Sequence, residues 1–317
     1  MANSNQIQNF VHLPGNNCIT TAIRNILNFY GFRYPESRIY GLAEGLGFVF
    51  KRIEGQANPY LGGTGSGLVD SFCRNLHLEL ESREFDSDEA AMADLKAQID
   101  QQVPVIVQVD LLYLPYFDSK THFAGHRVIP IGYDDANIFV SDTGFLKIQS
   151  CPIEKFIEAR RSEFPPFKHK RRRWRIERFD ERPFIDETIT KSLYNVYRKF
   201  ENHMPGYNLL QISDLRDHLK DYSDPALIYQ QIEKAGTGGG LGRKMFADFL
   251  DQAAQIYARS IYELASALYE QSAALWREIA INARSGEIDK IPERLEEIYK
   301  IESSAIKVFS SFEAEDL

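Results

Sequence analysis

Residues 125–142, GHRVIPIGYDDANIFVSD, decide how the chain folds. Arg127 to Tyr133 and Ile138 to Ser141 are rich in β-branched residues, and Asp134-Asp135-Ala136-Asn137 between them supplies the turn formers of a hairpin. A register with Asp142 opposite Val128 puts Asp142 on the face that carries His126, about 7 Å away along the diagonal. A carboxylate so placed bonds one imidazole nitrogen and leaves the other for a third group. His122, Asp134, Asp135 and Asn137 lie close enough in sequence to compete, although the turn residues already have an account as turn formers.

Upstream, Val103 to Asp110 reads as a second core strand. A helix starting near Asp86 or Ser87 runs through Ala91, Leu95 and Ile99, and the Gly-rich segment 55–67 reads as a loop. Asn16-Asn17-Cys18 opens a further helix, in which Ile19, Ala22, Ile23, Ile26, Leu27 and Tyr30 share one stripe and Gly31 is the stop. Cys18 therefore stands at a helix N-terminus, where backbone N–H groups and the positive end of the dipole favour the thiolate over a reference pKa of about 8.5. An isolated cysteine there is equally a small core residue. His126 and Asp142 downstream supply the company that a nucleophile needs.

Downstream, residues 164–183 read FPPFKHKRRRWRIERFDERP, a Pro-rich and then basic boundary with one edge strand around Trp174 to Phe179. Beyond it the pattern is helical. Ile189, Leu193, Val196, Tyr197 and Phe200 form one stripe ending before Pro205, Ser213 and Asp224-Pro225 start two short helices, and Gly236 stops the second. Phe246 to Ile279 keep helical spacing, and Ile288 to Phe312 read as a helix folding back antiparallel.

A chain of 317 residues exceeds the usual size of one core, so two domains are expected. The division is an α+β domain over 1–165, a basic and Pro-rich linker over 166–185, and a mostly helical domain over 186–317. Hydrophobic residues at 44% and charged residues at 26% are those of a globular protein. The start MANSNQIQNF lacks a secretory pattern and no apolar run approaches membrane-spanning length, so a cytoplasmic location without membrane contact is expected. Three scattered cysteines suit neither a disulfide framework nor a paired-Cys metal site. The dispersed histidines include no HExxH, so no metal is expected. A net charge of -8 argues against general nucleic-acid binding. Gly236 to Arg243 lacks the GK[ST] of a phosphate loop and reads as close backbone packing at a helix start.

Four segments carry a resemblance. His12-Leu-Pro-Gly-Asn-Asn-Cys18-Ile-Thr-Thr-Ala, Tyr40-Gly-Leu-Ala-Glu-Gly-Leu-Gly-Phe48, Val109-Asp-Leu-Leu-Tyr-Leu-Pro-Tyr116 and Gly125-His-Arg-Val-Ile-Pro-Ile-Gly-Tyr-Asp134 resemble the N-terminal domain of the butirosin-biosynthesis acyltransferase family. Gly236 to Arg243, Phe246 to Leu250 and Leu275-Trp276 resemble the helical domain that accompanies it. The resemblance implies a papain-like fold, with Cys18 as nucleophile, His126 as general acid and base, and Asp142 as the imidazole partner. It places His12 where papain-like enzymes carry an oxyanion donor, and singles out Asp110, Tyr113 and Tyr116 as an amine-binding group, with Glu44 of similar standing. A strand end with two packed tyrosines, and a solvated loop carboxylate at Glu44, are the plainer accounts of those four residues.

The implied reaction is acyl transfer from an acyl carrier protein thioester, through a Cys18 thioester, to a small-molecule amine, with no cofactor. A papain-like cysteine peptidase or amide hydrolase uses the same three residues with water as acceptor, and a catalytically idle binding protein is the third possibility. A homo-oligomer is left open. The basic run Lys168 to Arg175 reads either as a surface that steers an acidic carrier protein or as strand charges that bond acidic helices of the same molecule.

Overall fold

The computed structural model describes residues 5–168, 171–177, 186–235 and 239–314. In chain order the first part forms β1 (Asn5–Gln6), α1 (Cys18–Phe29), α2 (Glu36–Leu42), β2 (Leu46–Lys51), β3 (Tyr60–Thr64), α3 (Leu68–Asn75), β4 (Leu80–Arg83), α4 (Asp88–Asp100), β5 (Ile106–Val109), β6 (His126–Tyr133), β7 (Asn137–Ser141), β8 (Gln149–Pro152), α5 (Ile153–Arg161) and β9 (Arg173–Ile176). From there the main elements are helices: α6 (Asp186–Glu201), α7 (Gln211–Asp217), α8 (Ala226–Tyr229), α9 (Gly240–Tyr257), α10 (Ser260–Arg284) and α11 (Ile291–Val308). The fold is α+β with a helical C-terminal region, as expected. Among the described residues no helix is long and apolar enough to cross a membrane.

The packing units do not follow the linear division expected from the sequence. One unit comprises Met1–Pro35 and His77–Glu181, the other Glu36–Leu76 and Arg182–Leu317. Residues 36–76 pack with the helices because α2 approaches α9 with no room for a side chain: a Cβ on Gly41 would lie 2.2 Å from the Phe249 ring. Segment 171–177 is also no linker, since β9 lies inside the sheet of the first unit.

That sheet runs β4-β9-β5-β6-β7-β8, and β1 adds to the far end of β6. β5 pairs the start of β6, with Val109 opposite His126. β7 pairs its other side, with Ile129 opposite Ser141, a register that continues to Val128 opposite Asp142. A bulge between Pro130 and Gly132 accommodates a proline that has no N–H to offer the ladder. Asp134 makes the turn by accepting the Ala136 and Asn137 N–H groups at 2.8 and 2.7 Å. Val107, Val109, Val128, Ile138 and Val140 bury against Leu95 and Ile99 of α4 and Phe156 of α5. Continuous burial of this kind holds β6 and β7 in one register, because a one-residue slip would turn every side chain to the other face.

In the second unit, α9, α10 and α11 surround a buried charge pair. Glu302 accepts two 2.8 Å bonds from Arg243, one at 2.5 Å from Ser272 and one at 3.0 Å from Trp276. Gly236, Thr237 and Gly238 lie outside the described residues; Gly239 to Arg243 feed the start of α9, as the packing account of that motif expects. The stripe expected to run from Phe246 to Ile279 is broken after Tyr257. Ala258 takes a left-handed conformation at φ +51° without a glycine to announce it, and α10 folds back so that Ser266 reaches the Ala247 carbonyl at 3.2 Å.

Candidate active site

Three elements bring Cys18, His126 and Asp142 together within the first unit. Asn17 caps α1: its side chain accepts the Ile19 and Thr20 N–H groups at 3.0 and 3.2 Å, and its carbonyl accepts that of Thr21 at 2.8 Å. The Cys18 amide is thus the one of that first turn not drawn into the cap. Cys18 itself is only partly buried, whereas Cys73 and Cys151 are buried. His126 opens β6, and its Nε2 meets Asp142 Oδ1 at 2.7 Å immediately after β7 ends. With Nε2 so engaged, Nδ1 is the nitrogen left for Cys18, and a side-chain hydrogen bond joins the two residues.

Asp142 is fully buried and accepts three hydrogen bonds. Oδ1 also accepts the Thr143 N–H at 2.6 Å, and Oδ2 accepts the Tyr116 hydroxyl at 2.9 Å. An aromatic cover closes over this side of the imidazole: Phe117 lies edge-on to His126 at 5.3 Å, and Phe145 lies 5.0 Å from Phe117 and 5.2 Å from Tyr116 between ring centroids. Low local dielectric of this kind strengthens the hydrogen bonds it encloses.

Burial disfavours ionisation of the Cys18 thiol, but the hydrogen bond and charge of His126, with Arg127 adding its charge and a backbone N–H, bring the pKa below the ordinary thiol value. Burial likewise opposes charge on His126, yet Asp142 and the bond to Cys18 raise its pKa to about 10. Both directions favour a thiolate beside an imidazolium. The other two thiols behave oppositely: burial pushes Cys73 and Cys151 up to about 12. A partly exposed thiolate, a bonded imidazole and a buried carboxylate form an arrangement competent for nucleophilic attack on an acyl carbon.

Residues 17–143 match the family described as butirosin biosynthesis protein H, N-terminal, and residues 154–309 match a domain of unknown function (DUF4872). Residues 17–143 thus form a domain of the butirosin biosynthesis protein H family. No match was found among curated proteins. Among solved structures, a C39-like peptidase from Bacillus anthracis is similar at 15% identity and a TM-score of 0.41, covering 56% of this chain and 100% of that one. The two sequence regions do not coincide with the two packing units. The butirosin biosynthesis protein H region includes α2, β2, β3 and α3 of the second unit, and the region of unknown function includes α5 and β9 of the first.

The remaining expected site residues of this butirosin biosynthesis protein H relative take other places. His12 offers no N–H to Cys18. Its Nε2–H donates to the Phe145 carbonyl at 2.8 Å, and its Nδ1 accepts the Ser141 hydroxyl at 2.8 Å, so both ring nitrogens are spent tying the segment before α1 to the end of β7 and the segment that follows it. Asp110 is fully buried and accepts four donors: the N–H groups of Leu112 and Phe123, the His122 ring and the Ser162 hydroxyl. No lone pair of that carboxylate is left for an amine. Glu44 is not solvated but wholly buried in the second unit, where Ser71, Arg74, Asn75, Asn195 and Lys199 surround it. Burial opposes its charge, and Lys199 together with the bonds from Asn75 and Asn195 more than offsets this, holding the carboxyl below its ordinary value.

Tyr116 belongs to the site, but in a different capacity: it donates to Asp142. Sequence reasoning marked the residue and missed its partner, while Phe117, Phe145 and the Arg127 N–H carry no spacing signal that announces them. Replacing Tyr116 by Phe removes a charge-assisted bond without changing the ring. We expect a loss of about 5- to 30-fold in turnover from that bond of roughly 1–2 kcal/mol, with Cys18 still labelled by iodoacetamide. Unchanged turnover would show that Thr143 and His126 suffice to hold Asp142.

Three arginines of the basic run pair with acidic residues of the same unit. Arg171 meets Asp88 at 2.5 Å, Arg172 meets Glu84 at 2.7 Å, and the buried Arg173 meets Glu81 at 2.7 Å and Asp94 at 2.9 Å. β9 is an interior strand between β4 and β5, not the edge strand that the sequence suggested. His169 and Lys170 lie outside the described residues.

Proposed function

We propose that the chain is a thiol-dependent acyltransferase that forms amides. Cys18 Sγ attacks the carbonyl of an acyl thioester on a carrier protein, and the departing thiolate takes a proton from His126. An amine then attacks the Cys18 thioester, His126 accepts the amine proton, and the amide leaves with Cys18 again ionised beside the imidazolium. The observation that carries this reading is the bond of His126 to both Cys18 and Asp142 at a thiol that stays partly exposed. Membership of a biosynthetic family supports synthesis over degradation, and the aromatic cover of Phe117 and Phe145 favours an acyl-enzyme shielded from water.

Product partition tests it. With a synthetic acyl-pantetheine donor and a primary amine at millimolar concentration, amide should be the main product and free acid a minor one. Free acid dominating across a panel of amines, together with cleavage of peptides, would make the protein a hydrolase of the cysteine-peptidase type.

A further inference from the structure

A second Asp–His pair lies apart from the Cys18 arrangement. His122 Nδ1 bonds buried Asp110 at 2.7 Å, and Ser162 donates to the same oxygen at 2.6 Å. Asp110, as a carboxylate, accepts only, so Nδ1 of His122 carries a proton, and in the neutral ring Nε2 presents a lone pair. The ring is fixed as well as the tautomer: Phe164 stacks on it at 4.1 Å and Tyr113 meets its edge at 5.8 Å. Among the described residues nothing bonds Nε2. The partly exposed imidazole instead lines a cavity of about 500 Å³, together with Tyr113, Arg161, Ser162, Glu163 and Phe164.

The charges of that cavity set its preference. Arg161 leans toward Asp88 at 3.6 Å, and Glu158, also at the cavity wall, is held by Lys155 at 2.8 Å. Glu163 meets no cation among the described residues. Arg161 is exposed and its partner Asp88 also bonds Arg171 at 2.5 Å, so the wall carries one cation; beside it stand an imidazole acceptor, a carboxylate that no described cation pairs, and aromatic rings. All three suit a cation bearing N–H groups on an apolar body, since a protonated amine donates to Nε2, pairs with a carboxylate and is attracted to ring faces. An anion would instead meet Glu163, which no cation pairs among the described residues.

We infer that the cavity faced by His122 is a binding site for a cationic primary amine, with His122 Nε2 and Glu163 as its polar contacts. Asp110 acts at one remove, as the positioning residue that fixes the tautomer. The pair sits at the sheet end from which His126 projects: Asp110 follows Val109, the partner of His126, and His122 precedes His126 by one short loop. That placement suits the acceptor of the acyl group, an identification that rests on the acyl-transfer reading, whereas the amine site itself does not.

The test uses the full chain and benzylamine as probe, with benzyl alcohol and benzoate as neutral and anionic controls. His122→Asn keeps a donor for Asp110 and removes Nε2, and Glu163→Gln changes an exposed residue. Calorimetry should find saturable binding of benzylamine to the wild type, at least tenfold weaker binding to His122→Asn, several-fold weaker binding to Glu163→Gln, and no comparable binding of either control. Benzylamine should also shift the His122 imidazole nitrogen resonances of the wild type, a readout that stands if His122→Asn fails to fold. Absence of saturable binding, equal binding by wild type and both variants, or a preference for benzoate would overturn the site. The acceptor assignment is read separately, from a tenfold rise in KM for benzylamine in His122→Asn. If wild-type Cys18 takes no acyl group from the donor, the acyl-transfer reading fails, and calorimetry still decides the site.

Discussion

Replacement of Cys18 by Ala should abolish acyl transfer, with a loss of at least about a thousandfold, because removal of a nucleophile leaves only binding and dipole stabilisation. Wild type incubated with an acyl-pantetheine should gain one acyl mass on the peptide that contains Cys18, and nothing on the peptides with Cys73 or Cys151. The contrast follows from the three thiols' surroundings. Cys18 is partly exposed, capped by Asn17 at a helix start and bonded to His126, whereas Cys73 and Cys151 are buried and pushed up to about 12. A thiol held that high has almost no thiolate at neutral pH and does not compete. Acyl mass on Cys73 or Cys151, or turnover retained by Cys18→Ala, would remove Cys18 from the mechanism.

The parts of this arrangement that could be read from the sequence are those governed by local periodicity. Cys18 at the head of α1 follows from the Asn17 cap and the Ile23, Ile26 and Leu27 stripe, and the opposition of Val128 and Asp142 follows from a hairpin whose turn is spelled out by Asp134. What escaped the reading depends on groups far apart in the chain. His12 stands six residues before Cys18, and that spacing suits an oxyanion donor, but nothing in it reveals that Ser141 and Phe145 take both ring nitrogens. Asp110 was visible as a carboxylate at a strand end, while its saturation by His122, Ser162 and two amides is a property of three separate segments. Segment 36–76 lies between first-unit elements in sequence, and contacts with distant residues, such as Gly41 with Phe249 and Glu44 with Lys199, make it part of the second unit.

The reactivity of Cys18 should follow pH in a way that His126 dictates. The two groups share a proton: the thiol pKa is brought below its ordinary value, and the imidazole is raised to about 10. As pH rises through the lowered thiol value, Cys18 loses its proton while His126 keeps one, and the ion pair appears. It persists until pH approaches about 10, where the imidazolium deprotonates and acyl transfer should decline for want of an acid. Alkylation by iodoacetamide, which needs only the thiolate, should therefore rise at a lower pH than for a free thiol. His126→Gln deletes the hydrogen bond and charge that oppose burial, so the Cys18 pKa should move above its ordinary value. Because each pKa unit is tenfold in thiolate population, alkylation of that variant at pH 7 should fall at least about tenfold. Asp142→Asn should lower the His126 pKa first and shift the alkaline limb of turnover downward, with a smaller effect on alkylation. Alkylation followed by mass spectrometry from pH 5 to 10 separates these cases. Superimposable curves for wild type and His126→Gln would mean that the imidazole does not ionise the thiol, and that Cys18 and His126 are neighbours without a shared proton.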